Sequence, residues 1–381
     1  EEMIHVIGTG LSGMSMAAAL AHHGFEVTLI GPKPEAAPDD RTTAILQPNI
    51  DFLDRLGLWT PLAATATPLI RMELHDQAHV SFFESSEMDL DQFGFNILNT
   101  QLKEALQARM TKQSAIHWQQ TNVETMTRST KGWTLHLANK KTLQAQLVIA
   151  ADGRSSKTRE AAGIACDEKP EQQAALVTML ECEKPHHYTS AEWYRKGGPF
   201  TLVPCRNKQL ALVWCDQEKI IDAQLKADTD ALSTTLTDMT EQRFGTLRVT
   251  GARQKWPIRP MKARTLVAPH LTLIGEAAHV LPPIGAQGFN TSLLDIRELL
   301  DHLLKGQKLG LAVSDPALLN AYAQQRASDI GLRYHGITRL NDLIRAQHPA
   351  SAFARRIALN ALDRVTPLRR QIMRFAMGSG R

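Results

Sequence analysis

An α/β fold is what this 381-residue sequence predicts: a parallel sheet flanked by helices, an inserted antiparallel sheet, and a helical C-terminal region. Three observations carry that expectation. Residues 3–30 read as strand, glycine turn, helix and strand in that order. The middle of the chain changes to period-2 segments, and the pattern after Thr291 is predominantly helical.

The opening strand is the apolar run 3–7, and the Ala-, Met- and Leu-rich stretch 11–23 is the helix that follows it. Residues 25–30 form the second strand. A βαβ unit of this kind favours a parallel sheet with a right-handed crossover. A further helix is expected over 102–110, and a buried strand over 143–151 ends at Asp152-Gly153. Between 172 and 249, alternating segments such as 200–204 and 210–215 are separated by turn residues at Lys196-Gly197-Gly198-Pro199 and Arg206-Asn207. These are read as an antiparallel sheet inserted into a nucleotide-binding domain. Residues 271–274 return as a buried strand of that domain. The resulting division places 1–80, 95–171 and 250–300 in the nucleotide-binding domain. It places 81–94 and 172–249 in a substrate domain, and 301–381 in the helical region.

Composition narrows the functional classes. With 43% apolar and 22% charged residues, the chain has the balance of a globular protein, and disorder is not expected. A net charge of +4 is too small to suggest nucleic-acid binding. Cys166, Cys182, Cys205 and Cys215 have neither paired nor zinc-ligand spacing, which suits reduced thiols in a cytoplasmic protein. The first apolar stretch is short and runs into a glycine turn, so no signal peptide is expected. No apolar run approaches the roughly 18 residues needed to span a bilayer, so membrane contact, on the inner surface, would be peripheral.

Three separated segments carry the chemistry. In Gly8-Thr9-Gly10-Leu11-Ser12-Gly13, the glycines permit a tight turn and close helix–strand packing, and backbone N–H groups at a helix start can approach a pyrophosphate. The acidic residue that usually ends the second strand of such a unit is missing: Ile30 is followed by Gly31, with Asp39 and Asp40 the substitutes at hand. The second segment is Asp152-Gly153-Arg154-Ser155-Ser156-Lys157, which alone also reads as an Asp-Gly turn before a basic helix start. The third begins Gly275-Glu276, continues through His279, Pro283, Gly285, Ala286 and Gln287, and reaches Gly288-Phe289-Asn290. Here a carboxylate follows a strand directly and a Pro/Gly-rich loop leads into a helix near Asn290. His279 is read as a packed histidine with no proton-transfer role.

Together these segments resemble the flavoprotein aromatic hydroxylases, and in particular the ubiquinone-biosynthesis hydroxylases. The resemblance extends to Asp40-Arg41-Thr42-Thr43-Ala44, the Gly198-Pro199 turn, Pro367-Leu368-Arg369-Arg370 and Ala376-Met377-Gly378. It implies a Rossmann-like FAD-binding domain, FAD as cofactor and NAD(P)H as co-substrate. It also implies O2 and a prenylated phenol as reactants, and a setting in which a ubiquinone-biosynthesis complex is a natural partner. By that resemblance Gly8, Gly10, Leu11, Ser12 and Gly13 hold the pyrophosphate, and Arg41 and Asn99 lie near the cofactor. Asp152 and Gly153 serve FAD and NAD(P)H. Gly275 and Glu276 reach the ribityl chain, and Pro283, Gly285, Gln287, Gly288, Phe289 and Asn290 form the loop beside the flavin. Two departures stand out: the family usually has Asp where Glu276 stands, and Gly directly before the Gln where this chain has Ala286. No second G-x-G-x-x-G occurs, so NAD(P)H is expected to dock transiently on the flavin domain. A flavin-dependent reductase of prenyl chains and a non-catalytic flavoprotein scaffold are the alternative readings.

Residues 353–377 hold Arg355, Arg356, Arg364, Arg369, Arg370 and Arg374 against the single acid Asp363, with Pro367 expected to divide two helices. Two roles fit this pattern. One is a helical cap with solvated arginines, and the other is a basic, apolar surface for a membrane.

Overall fold

The computed structural model describes residues 4–35, 39–170, 173–346 and 348–378. Its first layer is a six-stranded sheet with Ile4–Ile7 in the interior, flanked by Val27–Ile30 on one side and Leu147–Ala150 on the other. Ile116–Gln119 and Leu271–Leu273 extend it outward, all these pairings being parallel, and Val267–Ala268 adds a short antiparallel edge. Interior strands are buried on both faces, which explains why their sequences are continuous apolar runs and not alternating ones. Helix α1 (Leu11–His22) packs over the sheet, and its middle, Gly13 to Ala21, is buried throughout. Helix α2 (Asn99–Lys112) lies against α1 and buries Leu102, Leu106 and Met110. A short helix, α3 (Lys157–Ala161), follows the Asp152-Gly153 turn.

The second layer is an eight-stranded, mainly antiparallel sheet built around Gln173–Cys182, Gln209–Gln217, Gly198–Pro204 and Thr189–Arg195. The period-2 pattern of the sequence is realised here, but the sheet reaches further back along the chain than that pattern suggested. Arg71–Asp76 joins it beside Thr189–Arg195 in a parallel pairing, and His79–Glu84 follows as the outer strand. One face of this sheet closes a separate core of Leu176, Leu180, Trp193, Phe200, Leu202, Leu212 and Trp214 under Ile221, Leu232 and Leu236.

Helix α4 (Gln287–Lys308) lies against α1, and α5 (Pro316–Arg345) runs from α4 across the second sheet. Helices α6 (Pro349–Arg364) and α7 (Thr366–Met377) complete the C-terminal region, with Pro367 in the first turn of α7, where its missing N–H is harmless. The six C-terminal arginines do not form one solvated set. Arg355 is buried against Asp76 (3.0 Å), and Arg369 is buried against Glu87 (2.6 Å) and Asp363 (3.3 Å), so both pack α6 and α7 onto the second sheet.

Candidate functional site

The three sequence segments meet at the C-terminal ends of the central parallel strands, the edge where open α/β sheets place their ligands. Their contact is set by missing side chains. A Cβ on Gly8 would lie 2.1 Å from the Ala151 carbonyl oxygen, and one on Gly13 would lie 1.9 Å from that of Gly8. The first segment is thereby pressed onto the second. Gly275 has φ +62°, and a Cβ there would come within 2.7 Å of Ser12 Oγ, which brings the third segment onto the first. Leu11 is partly buried against the main core at the same helix start. By contrast, a Cβ on Gly10, Gly153 or Gly288 would meet nothing within 4 Å. These three glycines border open space. Helix α1 starts from Gly10, and α4 starts from Ala286; neither start has a side-chain cap, so both leave unsatisfied N–H groups and a partial positive charge at this edge.

The Gly275–Asn290 loop is held from behind. Asn290 accepts from Leu46 N (2.9 Å) and Asn49 Nδ2 (2.9 Å) and donates to Ala44 O (2.8 Å) and Ala286 O (2.6 Å). Gln287 donates to Gly285 O (2.9 Å) and to Ala376 O (3.1 Å) in α7, and accepts from Arg333. Both side chains are buried and act as anchors. Pro283, Gly285 and Gly288 are exposed between these anchors, and Phe289 is partly buried against the main core. Ala286 adopts the left-handed region (φ 55°), where a side chain costs about 1 kcal/mol and glycine is favoured. Glu276 is exposed in the turn after the Leu271–Leu273 strand and has no hydrogen-bond partner among the described residues.

Residues 2–330 match the family model described as FAD binding domain. The chain is 30% identical to the ubiquinone hydroxylase UbiL of Rhodospirillum rubrum, covering 98% of this chain and 89% of that protein. It is 28% identical to the 3-demethoxyubiquinol 3-hydroxylase of Escherichia coli, covering 98% of both. Among solved structures, p-nitrophenol 4-monooxygenase of Pseudomonas putida superposes with a TM-score of 0.79 at 16% identity, covering 98% of this chain and 97% of that one. The chain belongs to this FAD-binding family. It is a flavoprotein aromatic hydroxylase, an FAD-dependent monooxygenase.

The residues at the edge fit that cofactor: three glycines border open space, two helix starts lack side-chain caps, and the exposed Glu276 carboxylate has no partner among the described residues. Other expected members are placed less directly. Asp152 turns its carboxylate toward the start of α3, accepting from Thr158 N (3.1 Å), Thr158 Oγ1 (2.9 Å) and Ser156, so the Asp-Gly turn reading accounts for its side chain. Asn99 accepts from Thr43 Oγ1 (2.5 Å), and its N–H donates to Arg41 O (2.9 Å), which brings Asn99 and Arg41 together. The Arg41 guanidinium sits 4.1 Å over the Trp256 ring and pairs with Asp39 (2.7 Å). Both substitutes for the missing acid already have partners within the chain. The Arg41 hydrogen bond, aided by Lys103, outweighs the effect of burial and holds the Asp39 carboxyl well below the usual range. Asp40 accepts from Ala252 N (3.3 Å). Gly31 itself has a physical reason: a Cβ there would lie 2.7 Å from the Thr9 side chain, whose hydroxyl donates to Pro32 O (2.6 Å).

One buried cluster had no sequence signal beyond its lone histidine. Asp295, on α4, accepts from Gly275 N (2.9 Å), pairs with His279 Nε2 (2.5 Å) and receives Arg326 Nε (2.8 Å) from α5. Burial alone would raise its carboxyl, but the charges of His279 and Arg326 override that and hold it below the usual range. His279 is therefore a packed histidine, and its partner clamps the start of the loop that carries Glu276.

Proposed function

We propose that this hydroxylase acts on the aromatic ring of a prenylated phenol in ubiquinone biosynthesis, with NAD(P)H as electron donor and O2 as the source of the new hydroxyl. The observation that carries the reading is the cradle of three glycine-bearing segments at the strand ends, together with the names of the two relatives that match along almost the whole chain. FAD, when bound, supplies electron transfer from NAD(P)H to O2 and delivers one oxygen atom to the ring. The protein's part is to bind, orient and exclude water. The turn from Gly8 to Gly13 and the start of α1 receive the pyrophosphate, and Glu276 takes the ribityl hydroxyls. The N–H groups of Gly288 and Phe289 at the start of α4 oppose negative charge on the flavin. In this reading Arg41, Asn99, Asp152 and Gly153 also contact the cofactor.

The test is product analysis with FAD-loaded protein, NAD(P)H and 18O2. A prenylated phenol should gain one labelled oxygen atom, with NAD(P)H oxidation stimulated by that phenol. Faster turnover of 4-hydroxybenzoate than of any prenylated phenol would refute the substrate class. Saturation of the prenyl chain without oxygen would favour the reductase, and no stimulated oxidation at all would favour the scaffold. Peripheral contact of α6 and α7 with a bilayer, where a prenylated substrate resides, belongs to the same proposal, as does membership of a ubiquinone-biosynthesis complex. Among the described residues no helix is long and apolar enough to cross a membrane.

A further inference from the structure

The second sheet has two faces of different character. Along Thr189–Arg195, Ala191 and Trp193 enter the closed core, while Glu192 and Tyr194 point to the opposite face and remain only half-buried. On Gly198–Pro204, Phe200 and Leu202 are core, while Thr201 and Val203 share the face of Glu192. Val213, Ala175, Val177 and Met179 continue that face on neighbouring strands. No single core closes it. It carries three small clusters, around Ala175, Val177, Cys215 and Ile258, around Met179, Cys205 and Ala211, and around Phe83, Leu74 and Val203 under Met373 and Met377 of α7. Helix α5 crosses this face, and Glu192, Thr201, Val203 and Val213 stay partly open on it.

Three carboxylates fall on that face. Asp76 is paired with Arg355, and Glu181 is paired with Arg248 at the solvent edge. Glu192 has no ion-pair partner among the described residues. Its partners are Thr201 Oγ1, which donates to it at 3.0 Å, and the backbone of Gly285. That second contact places Glu192 against the exposed part of the Pro283–Gly288 loop, whose Gly285 carbonyl is fixed by Gln287. A half-buried carboxylate without a cation is costly to ionise and is able to take up a proton.

We propose that Glu192 is the general base of the hydroxylation, its carboxylate accepting the proton of the phenol hydroxyl as the ring takes up oxygen. The proposal rests on the phenol-hydroxylase reading given above. In the balanced step, the phenol O–H bond breaks and its proton moves to Glu192. The ring's electron pair forms the new C–O bond, the displaced ring proton enters the water formed from the second oxygen atom, and Glu192 returns its proton to the original oxygen. One atom of O2 becomes the hydroxyl and the other leaves as water, with two electrons from NAD(P)H by way of bound FAD. Proton removal concentrates electron density on the ring carbons ortho and para to the oxygen, which are the positions that attack.

Burial pushes the Glu192 carboxyl up to about 7, with Thr201 and Gly285 opposing the shift, so the base is poised near neutral pH. The charged and titratable groups around it are few. Tyr194 lies two residues along the same face, with Asp76 and Arg355 beyond it. Helix α5 crosses these strands, and its buried ionisable groups are Tyr322, Arg326, Arg333 and Tyr334; Tyr322 donates to Leu273 O (3.0 Å), and the arginines are held by Asp295 and Asp329.

The experiment uses the full chain loaded with FAD, a 2-prenylphenol and its ring-fluorinated analogue, which has the more acidic hydroxyl. For wild type, kcat/KM should rise with pH through a limb near 7, because the base must be ionised. Glu192→Gln should lower kcat/KM about 10²–10⁴-fold on the prenylphenol, remove that limb, and leave the FAD Kd unchanged. The loss should be smaller on the fluorinated substrate, whose proton is more easily given up. Thr201→Val should move the limb upward by about one pH unit, since the ionised carboxylate loses a donor. Wild-type rates in Glu192→Gln overturn the proposal. So does an equal loss on both substrates with the limb retained. If Glu192→Gln fails to fold, an unmoved limb in Thr201→Val overturns it. Wild-type protein that hydroxylates no phenol defeats the functional reading itself, an outcome separate from active enzyme that is indifferent to Glu192.

Discussion

At the scale of single residues, the glycines separate into two kinds that a sequence motif does not distinguish. Gly8 and Gly13 are empty because backbone occupies the space, that of Ala151 at Gly8 and that of Gly8 itself at Gly13, whereas Gly10 and Gly288 are empty toward open space. The two kinds should respond differently to alanine. Gly13→Ala forces a Cβ to within 1.9 Å of the Gly8 carbonyl oxygen, so it should destabilise the fold by about 1–3 kcal/mol as overpacking does. Gly10→Ala meets nothing within the chain and should leave thermal stability nearly unchanged while weakening FAD binding. Thermal melts of the apoprotein and FAD titration separate these outcomes, and equal melting temperatures for the two variants would refute the distinction. Glu276→Ala tests the third segment. Losing a charged hydrogen-bond acceptor corresponds to about 1.5–3 kcal/mol, or roughly 10–150-fold in FAD Kd. FAD titration of the apoprotein reads it directly, and an unaltered Kd would remove Glu276 from the ribityl contact. The family's usual glycine at position 286 is explained by backbone, since Ala286 holds a left-handed conformation.

At the scale of elements, the sequence made some features legible and left others silent, for physical reasons. The βαβ start and the strand before Asp152 were readable because their signals are local: an apolar run, a glycine turn and a helical period lie within one stretch. Asp295 was silent because its three partners come from position 275, position 279 and position 326 on a different helix, and one acid in a long amphipathic helix looks like any other. Glu192 was silent because strand alternation decides which face a residue joins, but not what lies opposite. Gln287 and Asn290 read as loop residues beside a cofactor, yet their polar atoms are largely spent on the fold. Asp295 is the joint between α4, α5 and the strand end at Gly275. Asp295→Asn would leave His279 and Arg326 buried without it, a loss of about 3 kcal/mol by comparison with other broken buried pairs. Because the native carboxyl is held below its usual range, this contribution is complete above roughly pH 4 and is lost as pH falls further. Urea denaturation at pH 7 and pH 3.5 should show the wild-type advantage over Asp295→Asn at the higher pH and a smaller one at the lower. An advantage that grew on acidification would contradict the assigned direction.

At the scale of the whole molecule, the C-terminal pair α6 and α7 presents its inner side to the second sheet and its outer side to solvent. The inner side contains Arg355 and Arg369, whose ion pairs to Asp76 and Glu87 fix the helices in place. The outer side contains exposed Arg356, Arg364 and Arg370 together with exposed Phe353, Ile357, Leu368 and Ile372. Phe353 is 66% exposed and Ile357, one turn later, 53% exposed. Large apolar side chains left in water one turn apart, with cations on the same helices, suit the interface of an anionic bilayer, and the proposed prenylated substrate resides there. Each cation near such a surface contributes about 1 kcal/mol, so three together contribute about 3 kcal/mol, or roughly 100-fold in partitioning. Changing Arg356, Arg364 and Arg370 to Gln should therefore lower binding to phosphatidylglycerol liposomes by about that factor and flatten its salt dependence, with FAD retained. Arg369→Gln should instead lower the melting temperature, because it leaves Glu87 without its partner. Sedimentation with liposomes at low and high salt measures the first effect. Binding that is absent in wild type, or that ignores both salt and the three substitutions, would leave α6 and α7 with a packing role alone.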